Sequence, residues 1–260
     1  MNPAQYAAAA AALYEARRDR MPITRVSQRF DIATQEDAYE VAQINTRRAL
    51  DGGDKITGRK IGLTSKAVQK QLGVAQPDYG VLFASMERLD NAELDASRLL
   101  QPKAEAEIAL VVGRDINDES LSWSRFLLSI EYALPAIEIV DSAIENWDIT
   151  LADTIADNAS CGLYVLGTEP KQITSFSLID CGMSFTKNNA IVATGSGAAC
   201  LDSPLLSAYW LAKIMARNRM PISAGEVILT GALGPMVVLE KGDNIDVTIS
   251  GLGRVRSRST

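Results

Sequence analysis

The sequence predicts an α+β fold in which a mixed, mostly antiparallel β-roll is flanked by N-terminal and peripheral helices. Two observations carry this prediction. Helix-forming segments fill residues 1–54, and short strand-like runs with few strand–helix–strand alternations fill residues 55–260. With 260 residues and a hydrophobic content of 47%, the chain can bury a large core, so we expect a single domain over 1–260.

Two helices are predicted in the N-terminal part. Residues 3–20 are rich in alanine and carry their basic side chains late, which suits the negative end of a helix dipole. A second helix is predicted to begin after Thr34, with Asp37 as its capping partner, and to end at Gly52-Gly53. We expect both helices to form packing or subunit contacts and to carry no chemistry.

The rest of the chain predicts short strands, turns and three further helices. The Thr64-Ser65 pair can cap a helix over 66–72, a second helix is predicted over 122–133 before Pro135, and a third begins at Ser203-Pro204. Asn188-Asn189 predicts a hairpin turn. Strands are predicted over 56–65, 102–112, 136–140, 163–166, 182–186, 190–194, 226–230, 236–239, 245–250 and 254–258.

Composition excludes several classes of function. The net charge is −6 with basic residues scattered, which argues against a nucleic-acid-binding surface, and no apolar run is long enough to span a bilayer. The first residues lack the pattern of a signal peptide, so we expect a cytoplasmic protein. Cys161, Cys181 and Cys200 are widely spaced and predict reduced thiols. The absence of histidine removes imidazole both as a catalytic base and as a metal ligand.

One apolar strand carries two acids on the same face. Side chains alternate along a strand, so Glu105 and Glu107 point one way while Ala104 and Ala106 point the other. The pair is consistent either with a solvated strand edge or with half of a metal site. Glu138 in a second apolar run favours the metal site, because burying three acids without a counter-ion is costly. With oxygen as the only ligand type, Mg²⁺ or Mn²⁺ is expected, with a 2-oxo acid as a suitable chelated substrate.

Two other polar residues have unremarkable interpretations on pattern alone. Lys60, flanked by glycine and apolar positions, is typical of a lysine that extends its ammonium group to the surface. Asp78 follows a proline and can close a turn with its own backbone. Residues 153–162 are small and hydrogen-bonding, as in loops where a ligand approaches the backbone.

Six ordered segments spread over nearly the whole chain resemble the hydratase/decarboxylase family of aromatic meta-cleavage pathways. They are 58–69 (GRKIGLTSKAVQ), 76–80 (QPDYG), 102–109 (PKAEAEIA), 135–142 (PAIEIVDS), 156–162 (ADNASCG) and 230–235 (TGALGP). The resemblance implies a fumarylacetoacetate hydrolase-like fold, a mixed β-sandwich roll, in a homo-oligomer, with 55–260 as the catalytic part.

The same resemblance implies roles for individual residues. Glu105, Glu107 and Glu138 are expected to bind Mg²⁺ or Mn²⁺. Lys60 and Asp78 become catalytic residues, Lys60 for the substrate carboxylate and oxyanion and Asp78 for proton transfer or water positioning. Leu63, Thr64, Ser65 and Ser160 are expected at the substrate. Relatives usually carry Leu-Gly-His-Pro where this chain has LDSP at 201–204, which leaves the role of that loop open.

The implied activity is hydration of 2-hydroxypenta-2,4-dienoate, or a close homologue, to 4-hydroxy-2-oxopentanoate. The alternative within the family is decarboxylation of 4-oxalocrotonate, since the metal ligands do not separate the two reactions. An alternative of another class is a non-catalytic partner subunit of a hydratase–decarboxylase complex. Expected partners are the small 2-hydroxy-dienoate or 2-oxo acid, further copies of the chain, and a pathway aldolase or decarboxylase.

Overall fold

A computed structural model describes residues 1–66, 69, 74 and 76–260. The helices of this part are α1 (Pro3–Asp19), α2 (Val26–Arg29), α3 (Gln35–Asp51), α4 (Trp123–Ser129), α5 (Leu151–Ala156) and α6 (Pro204–Arg217). The strands are β1 (Ile56–Gly62), β2 (Asp78–Phe83), β3 (Glu87–Leu89), β4 (Ala92–Leu94), β5 (Pro102–Val112), β6 (Ile130–Asp141), β7 (Cys161–Leu166), β8 (Gly182–Lys187), β9 (Ala190–Ser196), β10 (Val227–Leu229), β11 (Val237–Val238), β12 (Asn244–Ile249) and β13 (Gly253–Ser259).

Within the described residues the strands form two sheets. The larger has the order β2-β1-β10-β5-β6-β7-β3, with β11 paired to β5, and the smaller has the order β4-β13-β12-β8-β9. Most pairs are antiparallel, and β1–β10, β3–β7 and β4–β13 are parallel. The predicted α+β roll of mostly antiparallel strands is therefore confirmed.

The main core joins both sheets and α6. Alternate residues of β5, from Ala104 to Leu110, enter this core together with Phe185 and Val247 of the smaller sheet. The apolar face of α6, including Leu211 and Met215, packs against it. Since one face of β5 is committed to this core, its other face carries Glu105 and Glu107 away from it, as strand parity predicts.

The N-terminal helices form a second core with α5. Small side chains such as Ala9 and Ala10 let α1 approach closely, and Leu13, Val41 and Ile155 fill the space between the helices. Both main helices begin with a side-chain cap, Asn2 on α1 and Thr34 on α3. The predicted bounds of these helices are confirmed to within one or two residues.

Other elements differ from the sequence prediction. Residues 130–133, predicted as helix, begin strand β6, and Pro135 lies inside this strand opposite Ile108. Pairing with β5 along its full length outweighs the helix propensity of these residues, because tertiary contacts and burial override local propensity. Within 153–162, predicted as a loop, residues up to 156 belong to α5. The helix predicted over 66–72 falls mostly on residues outside the described part.

The predicted hairpin turn and the unpaired cysteines are confirmed. Asn188 and Asn189 both adopt positive φ in the turn between β8 and β9, as a tight hairpin requires. All three cysteines are unpaired and buried. Across the described residues, no helix combines the length and apolarity needed to cross a membrane.

Candidate active site and metal centre

Three carboxylates meet on adjacent strands at the centre of the larger sheet. Glu105 on β5 lies directly opposite Glu138 on β6, and Glu107 is opposite Ala136. Glu107 and Glu138 have no exposed surface, and Glu105 is half-buried. One carboxylate oxygen from each residue lies within 4.8 Å of the others. The interpretation of Glu105 and Glu107 as a solvated strand edge is therefore wrong, because β5 is paired on both sides.

Few of the described residues donate hydrogen bonds to the triad. The backbone N–H of Gly231 donates to Glu107 Oε2 at 2.8 Å. Among the described residues, nothing donates a hydrogen bond to Glu107 Oε1 or to either oxygen of Glu138. Buried oxygens without donors are costly unless a cation is close. The cluster thus fits a divalent cation held by oxygen ligands.

Lys60 is a buried basic residue that pairs with the triad. It lies on β1, is 3% exposed, and its Nζ is 3.3 Å from Glu138 Oε1. Burial alone lowers the pKa of Lys60, but the negative charges of Glu138 and Asp78 outweigh it, so the net shift is upward and the ammonium stays charged. The interpretation of Lys60 as a surface residue is wrong, because β1 is paired with β2 on one side and β10 on the other.

Asp78 is the first residue of β2 and is 1% exposed. It lies opposite Gly62, and a Cβ placed on Gly62 would be only 2.1 Å from Asp78 Oδ1, so the glycine leaves room for the carboxylate. Burial raises the pKa of Asp78, although Lys60 counteracts part of the shift. Its Oδ1 accepts no hydrogen bond from the described residues. The interpretation of Asp78 as a turn residue is wrong, because Asp78 is part of strand β2 and pairs with Gly62 of β1.

Burial, together with repulsion from neighbouring carboxylates, favours the protonated forms of Glu105 and Glu107. Burial raises the pKa of Glu105 to about 7, and the charge of Glu138 adds to the shift. The pKa of Glu107 is raised well above its ordinary value by burial, Glu138 and Glu105. A bound cation reverses this effect, because it needs the carboxylates ionised.

A cleft of ≈ 620 Å³ opens beside the triad. It is lined by the predicted residues Leu63, Thr64 and Ser65, and also by Glu105 of the triad. The remaining lining is Ile61, Gly62, Thr194, Gly195, Ser196, Ala199, Ala232, Leu233, Gly234, Pro235 and Met236. The cleft therefore joins a carboxylate end to a mostly apolar wall.

The wall at Leu63 and Thr64 has an unusual backbone. Leu63 adopts φ +56°, and its carbonyl accepts a hydrogen bond from Gln69 Nε2 at 2.7 Å. Thr64 is buried against Gly231, whose φ of +111° and lack of a side chain leave room for the threonine. The Gly231 N–H is the donor to Glu107, so one turn shapes both the triad and the cleft wall.

Ser160 lies apart from the cleft lining, in a buried turn between α5 and β7. Asn158, Ala159 and Ser160 all have positive φ, between 52° and 56°. The Ser160 hydroxyl is 3.3 Å from Thr154 Oγ1. Ala159 and the Asn158 carbonyl lie over Gly80, which is opposite Lys60 in the β1–β2 register. The turn therefore contacts the site from the β2 side.

Sequence reasoning missed the helical layer's contacts with this region. Arg17 of α1 binds Asp157, the residue before the left-handed turn. Tyr39 of α3 stacks on Tyr79, with ring centres 4.3 Å apart, and its hydroxyl accepts the Tyr79 backbone N–H at 3.2 Å. The only sequence signal was the position of Asp157 within the ADNASCG segment. The expectation that these helices only pack is therefore incomplete.

Comparisons with known proteins place this geometry in a family. The chain is 52% identical over 248 residues to 2-keto-4-pentenoate hydratase 1 of Dechloromonas aromatica, covering 95% of this chain and 94% of that protein. It is 51% identical over 247 residues to the TodF product hydratase of Pseudomonas putida, covering 95% and 92%.

A solved structure is similar along the whole chain. It is the 4-oxalocrotonate decarboxylase of Pseudomonas putida G7, complexed with magnesium and adipate, with a TM-score of 0.95, 34% identity and coverage of 100% and 99%. Residues 67–259 match the family described as fumarylacetoacetate (FAA) hydrolase, C-terminal. The chain therefore belongs to the fumarylacetoacetate hydrolase family, with the fold that its sequence predicted.

Proposed function

We propose that the protein is a hydro-lyase that adds water to 2-keto-4-pentenoate, in its enol form 2-hydroxypenta-2,4-dienoate, and produces 4-hydroxy-2-oxopentanoate. The observation that carries this proposal is the triad of Glu105, Glu107 and Glu138 beside Lys60 and next to a cleft, with carboxylate oxygens that accept no hydrogen bond from the described residues. The 51–52% identity to curated hydratases over 95% of the chain supports the reaction.

Glu105, Glu107 and Glu138 would hold the cation, for which we propose Mg²⁺ or Mn²⁺. Carboxylate oxygens suit these hard ions, and the decarboxylase of similar fold is complexed with magnesium. When bound, the cation supplies a Lewis acid that polarises the 2-oxo group of the substrate.

Lys60 provides the fixed positive charge of the site. Its ammonium is buried beside Glu138 and stays protonated, so it can attract the substrate carboxylate and the negative charge that develops on the C2 oxygen. Because it is held within a paired strand, little reorganisation is needed when that charge appears.

Asp78 is proposed to carry the protons. The dienol loses a proton from its C2 hydroxyl and gains one at C5. Water then adds its hydroxyl at C4 and a proton at C3, so all atoms balance. A carboxyl group with a raised pKa, whose Oδ1 accepts no hydrogen bond from the described residues, can accept and return such protons.

The cleft wall favours a substrate with one carboxylate. Among the described lining residues, none is basic, and Leu63, Leu233 and Met236 contribute apolar surface. The product of water addition ends in a methyl group, which such a wall accommodates. A dicarboxylate would place its second charge against apolar side chains, at a desolvation cost. Thr64, Ser65 and Ser160 are proposed to supply polar contacts to the substrate.

The second candidate is decarboxylation of 4-oxalocrotonate. The similarity to the Pseudomonas putida G7 decarboxylase favours it, since a TM-score of 0.95 shows that the two backbones agree closely. The lower identity of 34%, compared with 52% for the hydratase, ranks it second.

One experiment separates the candidates. Purified protein with Mg²⁺ is mixed with freshly prepared 2-hydroxypenta-2,4-dienoate and, in parallel, with 4-oxalocrotonate. We expect loss of dienol absorbance without CO₂ release, whereas CO₂ from 4-oxalocrotonate would establish the decarboxylase. Inactivity towards both would favour the non-catalytic partner subunit. Full turnover by Lys60→Ala, or after removal of the metal with chelator, would contradict the proposed site.

Three further proposals concern the cellular location, the oligomeric state and the protein partners. We propose a cytoplasmic homo-oligomer that associates with an aldolase or decarboxylase of the same pathway. Sedimentation of the purified protein, alone and with each pathway enzyme, tests the assembly.

A further inference from the structure

Arg17 links the N-terminal helical layer to the turn that contains Ser160. Its Nε donates to Asp157 Oδ1 at 2.9 Å, and its Nη2 is 2.8 Å from the same oxygen. Nη2 also donates to the backbone carbonyl of Asp141, the last residue of β6, at 2.7 Å. The second Asp157 oxygen accepts the Ala143 N–H at 2.8 Å. Asp157 is therefore fixed from two directions.

The turn that follows Asp157 is strained. Three consecutive non-glycine residues, Asn158, Ala159 and Ser160, lie in the left-handed region. For Ala159 and Ser160 this costs about 1–2 kcal/mol each. Such a conformation persists only where its surroundings impose it, and it is concentrated at functional sites. Asn158 imposes part of it by pairing with both backbone groups of Val81 on β2, at 2.7 and 2.9 Å.

The turn contacts the proposed site on both sides. Before Ser160, Ala159 lies over Gly80, where a Cβ would be 3.2 Å from the alanine Cβ. After Ser160, Gly162 lies so close to β6 that a Cβ would be 2.7 Å from the carbonyl oxygen of Ile139, next to Glu138. Ser160 is thus held between the strand pair of Lys60 and the strand of Glu138.

We propose that Arg17 is a positioning residue that acts through Asp157 to hold the left-handed turn and, with it, Ser160 between the strands of Lys60 and Glu138. The kinetic consequence rests on the proposed function, because the substrate contact of Ser160 is assigned there. Arg17 lies in a helix for which the sequence predicted no chemistry, and it is far along the chain from the site. Removing it should free the turn to relax towards ordinary φ values.

The first test follows the turn directly and needs no turnover. Amide hydrogen exchange is measured in a peptide covering 157–163 for wild type, Arg17→Met and Arg18→Met. Arg18 is the matched control, since it lies in the same helix and pairs with the exposed Asp19. We expect exchange to rise about 10-fold or more with Arg17→Met alone, while α6 is unchanged. Unchanged exchange in the turn would overturn the proposal.

The second test is a double-mutant cycle on kcat/KM. We expect Arg17→Met to lower kcat/KM about 10-fold in wild type but less than about twofold in Ser160→Ala, because it acts through the serine. Equal losses in both backgrounds would show that Arg17 does not act through Ser160 and would overturn the proposal. If Arg17→Met does not fold, Arg17→Lys, which keeps the charge without the two-point contact, carries the same comparisons.

The two tests separate this proposal from the proposed function. If wild type fails to turn over the dienol, the proposed function fails. The hydrogen-exchange result still decides whether Arg17 holds the turn.

Discussion

The protein contains two clusters of buried carboxylates that are satisfied in opposite ways. At the junction of α1, α5 and β6, Asp157 and Asp141 receive donors from Arg17 and from the backbone N–H groups of residues 100, 101 and 143. In the centre of the larger sheet, the oxygens of Glu107 and Glu138 receive, from the described residues, the N–H of Gly231 and lie near Lys60. Burial is comparable in the two clusters, so the difference lies in the donors.

This difference separates scaffold from site. A carboxylate cluster that the chain satisfies itself gains nothing from a ligand and fixes the elements around it. A cluster left with free oxygens is costly as apoprotein and gains affinity for a cation in return. Removing a charge should therefore have opposite effects on stability in the two places, and the predictions below test this.

The largest effect is expected from Glu107→Gln. Mg²⁺ affinity should fall by at least about 100-fold. Activity should fall on the order of 10³-fold, since several kcal/mol of transition-state stabilisation are lost. The apoprotein should be as stable as wild type or more stable by up to about 1 kcal/mol, because repulsion is relieved. Calorimetric titration measures the Mg²⁺ affinity, turnover assays measure the activity, and urea unfolding measures the stability. Clear destabilisation of the metal-free variant would contradict the proposed difference between the two carboxylate clusters.

Arg17→Met should destabilise the protein by about 2 kcal/mol, less than for a fully buried pair because the arginine side chain is 31% exposed. The reason is that two buried aspartates lose their cation. Urea unfolding with and without Mg²⁺ measures it, and Arg18→Met serves as the control with an expected change within about 0.5 kcal/mol. An equal loss of stability in the two variants would show that Arg17 stabilises the protein no more than the exposed Arg18 does.

The triad should also make stability depend on pH. Burial and Glu138 raise the pKa of Glu105 from 4.5 to about 7, so between these values the folded apoprotein binds a proton that the unfolded chain has released. This contribution to stability is complete below pH 4.5 and is lost as the pH rises through about 7, by roughly 1.5 kcal/mol after allowance for partial exposure.

Mg²⁺ affinity should increase over the same pH range, because the ion competes with that proton. Unfolding of chelator-treated protein at pH 5 to 8, compared with Glu105→Gln, measures the stability effect. If Glu105→Gln keeps the wild-type dependence of stability on pH, a group other than Glu105 titrates in this range.

The smallest effect is expected from Tyr39→Phe. The ring stack on Tyr79 remains, but the Tyr79 N–H loses its acceptor, at a cost of about 1 kcal/mol. Because Tyr79 follows Asp78, kcat should fall only a few-fold. Tyr14→Phe is a suitable control, since Tyr14 is 44% exposed. Equal kinetics for the two variants would show that α3 does not influence Asp78.

The sequence determined which face of strand β5 each side chain occupies. Alternation along 102–112 placed Glu105 and Glu107 on one face, and the apolar run around Glu138 marked a buried neighbour. The absence of histidine left oxygen as the ligand type. The helices, the hairpin at Asn188-Asn189 and the apolar face of α6 were also predictable, because these features depend on neighbours close in sequence.

Only the tertiary structure decided what each polar residue faces. On local pattern alone, Lys60 and Asp78 are typical of surface and turn residues, whereas the pairing of β1 with β2 and β10 buries them. The ion pair of Arg17 with Asp157 joins residues 140 positions apart, and no local pattern encodes it. Local sequence fixes the direction of a side chain, but burial and partners arise from long-range packing, which determines whether a charge is solvated, paired or left for a cation.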